Sequence, residues 1–421
     1  MLFYFISLFS PRLSSEIVSF VRYIELSDPE IQARNDVIHR IERVVKGLWP
    51  LAEVKVFGSF VSNLCLPTSD IDMLITHNAR DIISMIHALG NSLDREGSFG
   101  HIEKITRARV PLIKFRDLAT GVSIDISFNS SNGPRNTEIV KKFIKDYPAS
   151  RPLTIVVKHF LYHNCLNEPY YGGLGAYGLF LMVVSFLQHN APNGPENTTD
   201  EDLGPLLVEF FKFYGILFNY CTTGISVRNG GSYYSKIVRR WFEPEKPYML
   251  SVEDPEDVGN DVTKQAYDIM TIRSLFSEAY SLLSARMKAK RACKTSILSE
   301  IVAVHPKLDT YRKEIDSHYL KSIVLDDGNT PTVSGGGSSN SKGAKSKDNS
   351  GGASSSNNKS RSNLKRPNPS YLRDDYSDSD DDANLLNSSD DSDDKEEGRT
   401  TRTYVKRRRT TPAARRKTSL K

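Results

Sequence analysis

VKVFGSFVSNLCLPTSDIDMLI, residues Val54 to Ile75, reads as an apolar strand ending at Gly58-Ser59, a turn-rich link through Pro67-Thr68, and a second strand opening on Asp70-Ile71-Asp72. Side chains alternate across a strand, so Asp70 and Asp72 leave from one face and Ile71 from the other. In VSIDISF, Val122 to Phe128, Asp125 stands between Ile124 and Ile126, which puts its carboxylate opposite two core-facing isoleucines. If the two strands pair, three carboxylates converge.

Like charges repel, and at an effective dielectric of roughly 20 each pair about 4 Å apart costs on the order of 4 kcal/mol. Either some of the carboxylates are protonated or cations sit among them. Hard oxygen ligands with open positions suit Mg²⁺, or Mn²⁺, and two such ions can stabilise both oxygens of an in-line phosphoryl displacement. Gly58 has no Cβ to keep a phosphate from the backbone, and the Ser59 hydroxyl and nearby N–H groups can donate to phosphate oxygens. Asp-x-Asp by itself carries little: the same spacing recurs at Asp378 and Asp380 in a charged tail, and a strand that merely starts in solvent would show it too. The conjunction of strand, Gly-Ser, turn, Asp-x-Asp and a later isolated Asp on a strand is what points to a two-metal phosphoryl site.

On either side of this stretch the period changes. Ser14 to Trp49 shows two helical stripes, with Pro29 near the break between them, and DIISMIHALGNSLD is a helical run among the extended runs VKVF, DIDMLIT, VPLIKFRD and VSIDISF. From Pro152 to about Val304 helical runs dominate. The chain is therefore expected to be α+β: a helix at 10–28 packing on a central helical domain at 151–310, a mixed-sheet catalytic domain at 29–150, and a disordered tail at 326–421.

Composition agrees. The chain has 421 residues, with 56 Lys+Arg against 51 Asp+Glu for a net charge of +5. That length excludes a single small module. Counted with glycine in place of tyrosine, apolar residues reach roughly 40%, below the roughly 45–50% of globular chains, and the deficit is local to the tail. There a Gly/Ser/Asn/Lys coil at 334–363 leads to an acidic block at 374–397 and a basic end containing Lys406-Arg-Arg-Arg409. Such an end would bind phosphate backbones or a nuclear import receptor, or simply keep the tail in solution. The four cysteines show no CxxC pair and read as reduced thiols of an intracellular protein. The opening MLFYFISLF is shorter than a bilayer span and has no basic residue ahead of it, so no membrane or secretory role is expected.

FGSF, LPTSDIDMLI and SIDISFN together resemble the DNA polymerase β-like nucleotidyltransferases. In particular they resemble the non-canonical poly(A) polymerases of the topoisomerase-related-function group, the polymerase subunit of the nuclear TRAMP complex. RIERVVKGLWP, VPLIKF, NEPYYGGLGAYGLFLMVVSFLQ, VEFFKFYGILFNY, GISVRNGGSYYSK and SVEDPEDVGNDV extend the likeness over roughly 10–304. The resemblance implies a polymerase β-like fold with a poly(A) polymerase-associated helical domain. It also implies attack of an RNA 3′-hydroxyl on the α-phosphorus of ATP, with Asp70 and Asp72 holding both metals and Asp125 holding the one that activates the hydroxyl. It further implies Gly58 and Ser59 at the triphosphate, Lys158 as the triphosphate lysine and Tyr177 as the base-stacking tyrosine.

Asn136 and Thr137 resemble a ribose-contacting pair, although a helix cap before EIVKKF is an equal alternative. Asp254 and Asn260 resemble the nucleotide recognition motif, where asparagine in place of histidine favours ATP over UTP. By the same resemblance the partners are a zinc-knuckle RNA-binding subunit, an RNA helicase and the exosome, and the compartment is the nucleus or nucleolus, with the cytoplasm left open. Two departures stand out: Ala176 replaces the usual serine before the tyrosine, and Thr263-Lys264 replaces Gly-Arg after NDV. The competing readings are a uridylyl- or mixed-nucleotide transferase, a catalytically silent scaffold, and an aminoglycoside-type enzyme acting on a small hydroxyl compound.

Overall fold

The computed structural model describes residues 10–78, 81–108, 110–130, 132–192, 194–288, 295–304 and 308–316. The opening apolar stretch, Cys293 and the charged tail lie outside the described residues. Two helices come first, α1 (Ser10–Ile24) and α2 (Asp28–Leu48). The break between them is a capping box: Ser27 Oγ accepts from the Glu30 N–H, and Glu30 Oε2 accepts from the Ser27 N–H at 2.7 Å. Pro29 lies in the first turn of α2, where its missing N–H costs nothing.

The strands β1 (Glu53–Phe57), β2 (Ile71–Thr76), β3 (Phe99–Ile105), β4 (Leu112–Asp117) and β5 (Ser123–Phe128) form one sheet in the order β1-β2-β5-β4-β3. Only β2 and β5 run parallel, so the sheet is mixed. Between β2 and β3 runs α3 (Ile82–Glu96), capped by Asp81 and ended by left-handed Gly97. Met85, Ile86, Leu89 and Leu93 of α3 and Val37, Ile41 and Val45 of α2 pack on Ile71, Met73, Ile75, Ile113, Ile124 and Ile126. β3, a bulged edge strand with a polar face, was not expected from the sequence.

A second, larger core is helical. It gathers α1, α5 (Ser150–His163), α6 (Ala176–Asn190), α7 (Leu203–Lys212) and α8 (Ile269–Lys288) around Phe160, Phe186, Phe210, Phe211 and Phe276. Leu13, Ile17 and Phe20 of α1 belong to this core. So does Val140 of α4 (Asn132–Asp146), the helix that follows the sheet. A short hairpin, β6 (Thr223–Ser226) and β7 (Ser232–Ser235), was also not expected. It is tied down by the buried Lys236, whose Nζ donates to the carbonyls of Tyr220, Pro247 and Met249 at 2.7–2.8 Å. Among the described residues no helix is long and apolar enough to cross a membrane, and Cys65, Cys165 and Cys221 are free thiols.

Candidate active site

Parallel pairing of β2 with β5 makes Asp72 and Asp125 direct neighbours in register. Asp70, just before β2, lines with Asp72 a cleft of about 390 Å³, a volume suited to a small ligand. The Asp72 carboxyl is pushed up to about 7, first by burial and then by the charges of Asp125 and Asp70, with Lys158 and Lys114 pulling the other way. The next strand, β4, adds a residue that the sequence analysis did not single out. Lys114 is the register partner of Asp125, and its Nζ donates to Asp125 Oδ2 at 2.6 Å. Burial alone would lower the Lys114 pKa, but the facing Asp125 outweighs it and the ammonium is held above its ordinary value.

Gly58 follows β1 in a left-handed conformation at φ +75°, and a Cβ here would clash with Asp72 Oδ2. Its N–H is already taken: it donates to Thr137 Oγ1 at 2.8 Å, and the Thr137 hydroxyl donates to Gly133 O at 2.9 Å. Ser59, the next residue after Gly58, lines the cleft. Asn136 and Thr137 also line it. They sit in the second turn of α4, which begins at Asn132, so the cap alternative does not apply.

The loop from Gly58 to Asp70 is held from two helices. Arg34 of α2, buried, donates to Pro67 O and Ser69 O at 2.9 Å each. Lys158 of α5 donates to Leu64 O and Ser69 Oγ at 3.1 Å each. Burial pulls the Lys158 pKa down, against Asp72 and Asp70. Arg34 too was missed, because nothing in an amphipathic helix marks one arginine as inward-facing.

On the helical wall Tyr177, in the first turn of α6, donates its hydroxyl to Asp254 Oδ1 at 3.5 Å. Burial and Asp254 hold that phenol protonated, its pKa well above the ordinary value. Asp254 is buried; its Oδ2 accepts from Asn260 Nδ2 at 3.3 Å, and its N–H donates to Asn260 O at 3.0 Å. Neither Asp254 nor Asn260 is among the described residues lining the cleft; they meet it through Tyr177. Ala176 lines the cleft without a hydroxyl. Thr263 is buried away from it, donating to Leu250 O, with its methyl filling the space left by Gly178. That departure is thus absorbed into packing, and Lys264 is exposed.

Among the described residues no three His, Cys, Asp or Glu side chains are closed up into a metal cluster. The donor set nevertheless fits a hard divalent cation. It offers carboxylate oxygens only, it contains a carboxyl raised to about 7 by burial and then by its acidic neighbours, and an ammonium already sits on Asp125. Asp70, Asp72 and Asp125 are the residues that would hold it.

Comparison with known proteins agrees with this geometry. Residues 13–145 match the model for "Poly(A) RNA polymerase, mitochondrial-like, central palm domain", and residues 202–260 match that for "Cid1 family poly A polymerase". Poly(A) RNA polymerase cid14 of Schizosaccharomyces pombe is 39% identical over 278 residues, covering 65% of this chain and 41% of that one. The chain thus spans less than half of that relative's length. The inactive non-canonical poly(A) RNA polymerase protein Trf4-2 of Drosophila melanogaster is 33% identical over 317 residues, covering 73% of this chain and 76% of that one. The solved polymerase core of TRAMP, an RNA surveillance complex, superposes with a TM-score of 0.65 at 33% identity, covering 70% of this chain and 95% of that chain. With a relative 33% identical and covered over 76% of its length, the chain belongs to the non-canonical poly(A) RNA polymerase family.

Proposed function

We propose that the protein transfers AMP from ATP to the 3′-hydroxyl of RNA without a template. The observation that carries this reading is Asp70 and Asp72 lining a nucleotide-sized cleft beside a left-handed Gly58, with Asp125 the in-register neighbour of Asp72 on the next strand. In the transfer, the RNA 3′-oxygen bonds to the α-phosphorus, the bond from that phosphorus to the α,β-bridging oxygen breaks, and pyrophosphate leaves. Asp125 takes the hydroxyl side and helps draw off its proton. Ser59 and Lys158 meet the triphosphate, Asn136 and Thr137 the ribose, and Tyr177 the base. Mg²⁺ or Mn²⁺ held by the three aspartates would, when bound, neutralise charge on the transferring phosphoryl group.

Asn260, in contact with Asp254, supports ATP over UTP as the donor. Trf4-2 is named inactive, which favours a silent scaffold as the second reading. The acidic cluster speaks against it here, since a scaffold gains nothing from a carboxyl destabilised as an anion by burial and by two further carboxylates. We further propose a role in RNA surveillance, which the match to the TRAMP core supports; the nucleus and the zinc-knuckle, helicase and exosome partners are proposed from the sequence resemblance.

Purified full-length protein with Mg²⁺, a labelled oligoribonucleotide and each nucleotide in turn tests the reading. Extension with ATP, abolished by the Asp70→Ala/Asp72→Ala pair, is expected. Dominant UTP incorporation would replace the donor assignment, and no incorporation at all would overturn the reaction.

A further inference from the structure

The turn before α6 does more than wall the cleft. Pro169–Tyr171 is a single 3-10 turn closed by four backbone hydrogen bonds: Tyr171 N–H to Glu168 O, Gly172 N–H to Pro169 O, Gly173 N–H to Glu168 O, and Leu174 N–H to Leu166 O, all 2.8–3.1 Å. Gly172 sits at φ +86° with the Tyr267 ring where a Cβ would go, and a Cβ on Gly173 would come within 2.6 Å of the Leu166 backbone. No other residue fits either position, so Tyr-Tyr-Gly-Gly is a rigid device rather than a loose loop.

What it presents outward is aromatic. Tyr170 is 81% exposed and Tyr171 70%, with ring centroids 5.0 Å apart and planes at 86°. Tyr267, 51% exposed, adds a third ring and donates its hydroxyl to Tyr170 O at 3.5 Å. On its inner side the same segment supplies Asn167, Glu168 and Pro169 to the cleft wall. Single exposed tyrosines are ordinary on a protein surface. Two in ring contact, with a third hydrogen-bonded to the same fixed turn and the turn continuous with the cleft, form a patch that marks a binding site.

We propose that Tyr170, Tyr171 and Tyr267 form a stacking platform for unpaired bases near the RNA 3′ end, just upstream of the nucleotide that enters the cleft. The proposal rests on the reading of the cleft as a 3′-end transfer site. Fixed aromatic faces lose little entropy on binding, and every base has a face to stack, so the platform accepts any sequence. Glu168 beside the turn disfavours phosphate there, so stacking and not charge carries the contact.

The test uses the full chain and an oligoribonucleotide with 2-aminopurine as its penultimate base, read by anisotropy and by 2-aminopurine quenching without nucleotide. The Tyr170→Ala/Tyr171→Ala pair is expected to weaken RNA binding roughly tenfold or more and to lose the quenching. The salt slope of binding and the KM for ATP should stay unchanged. The Tyr170→Phe/Tyr171→Phe pair should behave as wild type. Wild-type affinity and quenching in the alanine pair would overturn the platform, as they would if the patch seats a protein instead. A phenylalanine pair as weak as the alanine pair would also overturn it, by assigning the contact to the hydroxyls. Because binding is read without turnover, a wild-type chain that fails to extend RNA would sink the proposed reaction alone.

Discussion

Gly58 and Asp72 compete for one volume: the Cβ that any other residue would place at position 58 clashes with Asp72 Oδ2. Asp72, on β2, is the register partner of Phe57, the last residue of β1. The left-handed turn at Gly58 begins one residue later. The glycine therefore admits the carboxylate that Asp125 faces, in addition to leaving room for phosphate.

Gly58→Ala should accordingly damage the site far more than the fold. Forcing an L side chain into the left-handed region costs roughly 1–2 kcal/mol, a loss seen as a fall of a few degrees in Tm. The larger effect is displacement of Asp72, and misplacing a reacting group by about 1 Å costs on the order of 100-fold in rate. An unchanged circular dichroism spectrum with adenylate transfer down by about that factor is expected; turnover near wild type would show that Asp72 has room to spare.

A carboxyl raised from its ordinary 3.8 to about 7 in the folded chain is disfavoured as the anion. The stability it withdraws grows as pH rises from about 4 through 7. A divalent cation binds the anion, so metal affinity in the absence of nucleotide should climb with pH, by at most about tenfold per unit, and level off above 7. Calorimetric titration with Mn²⁺ between pH 6 and 8 measures this, with proton release expected on the acid side. Asp72→Asn should flatten the profile, and an equally steep profile in that variant would assign the proton to another group.

Much of this arrangement was legible in the sequence because it rests on alternation. Asp125 between Ile124 and Ile126 could only face away from the core, and the same reasoning applied to Ile113-Lys114-Phe115 would have found Lys114 on the same side. β3 escaped because its register shifts between Gly100 and Glu103, breaking the period on which the reading depends. β6 and β7 have four residues each, too few for a period to show, and what holds them is the adjoining Lys236, whose carbonyl partners Tyr220, Pro247 and Met249 only the fold brings together. Arg34 escaped for a related reason. Its partners Pro67 and Ser69 are more than thirty residues away, and only the tertiary fold brings their carbonyls to its guanidinium.

Arg34→Met keeps the packing volume but removes the donor for two carbonyls in the loop that leads into Asp70. Leaving buried acceptors unsatisfied costs roughly 1–3 kcal/mol each, so a loss of about 2–4 kcal/mol in urea denaturation is expected. The freed loop should also raise the KM for ATP, because Ser59 and the Lys158 contacts at Leu64 and Ser69 belong to it. Arg34→Lys should recover only part of the stability, since one ammonium replaces a planar fork that spans both carbonyls. Full recovery by lysine would reduce Arg34 to a point charge.

Asn260 reaches the cleft at one remove. Its amide donates to one oxygen of Asp254, whose other oxygen receives the Tyr177 hydroxyl, and Tyr177 is the member of the three that lines the cleft. Asn260→His would exchange an amide that can both donate and accept for a ring whose one N–H must choose between Asp254 and an incoming base. If the ring turns to the base, Asp254 loses a donor, Tyr177 is less firmly held, and selection passes to the histidine. Competition between ATP and UTP on one RNA primer should then shift toward UTP by about tenfold, the worth of one good hydrogen bond. Asn260→Ala should lower ATP use without that gain. An unchanged nucleotide ratio in both variants would mean that Tyr177 selects by stacking alone.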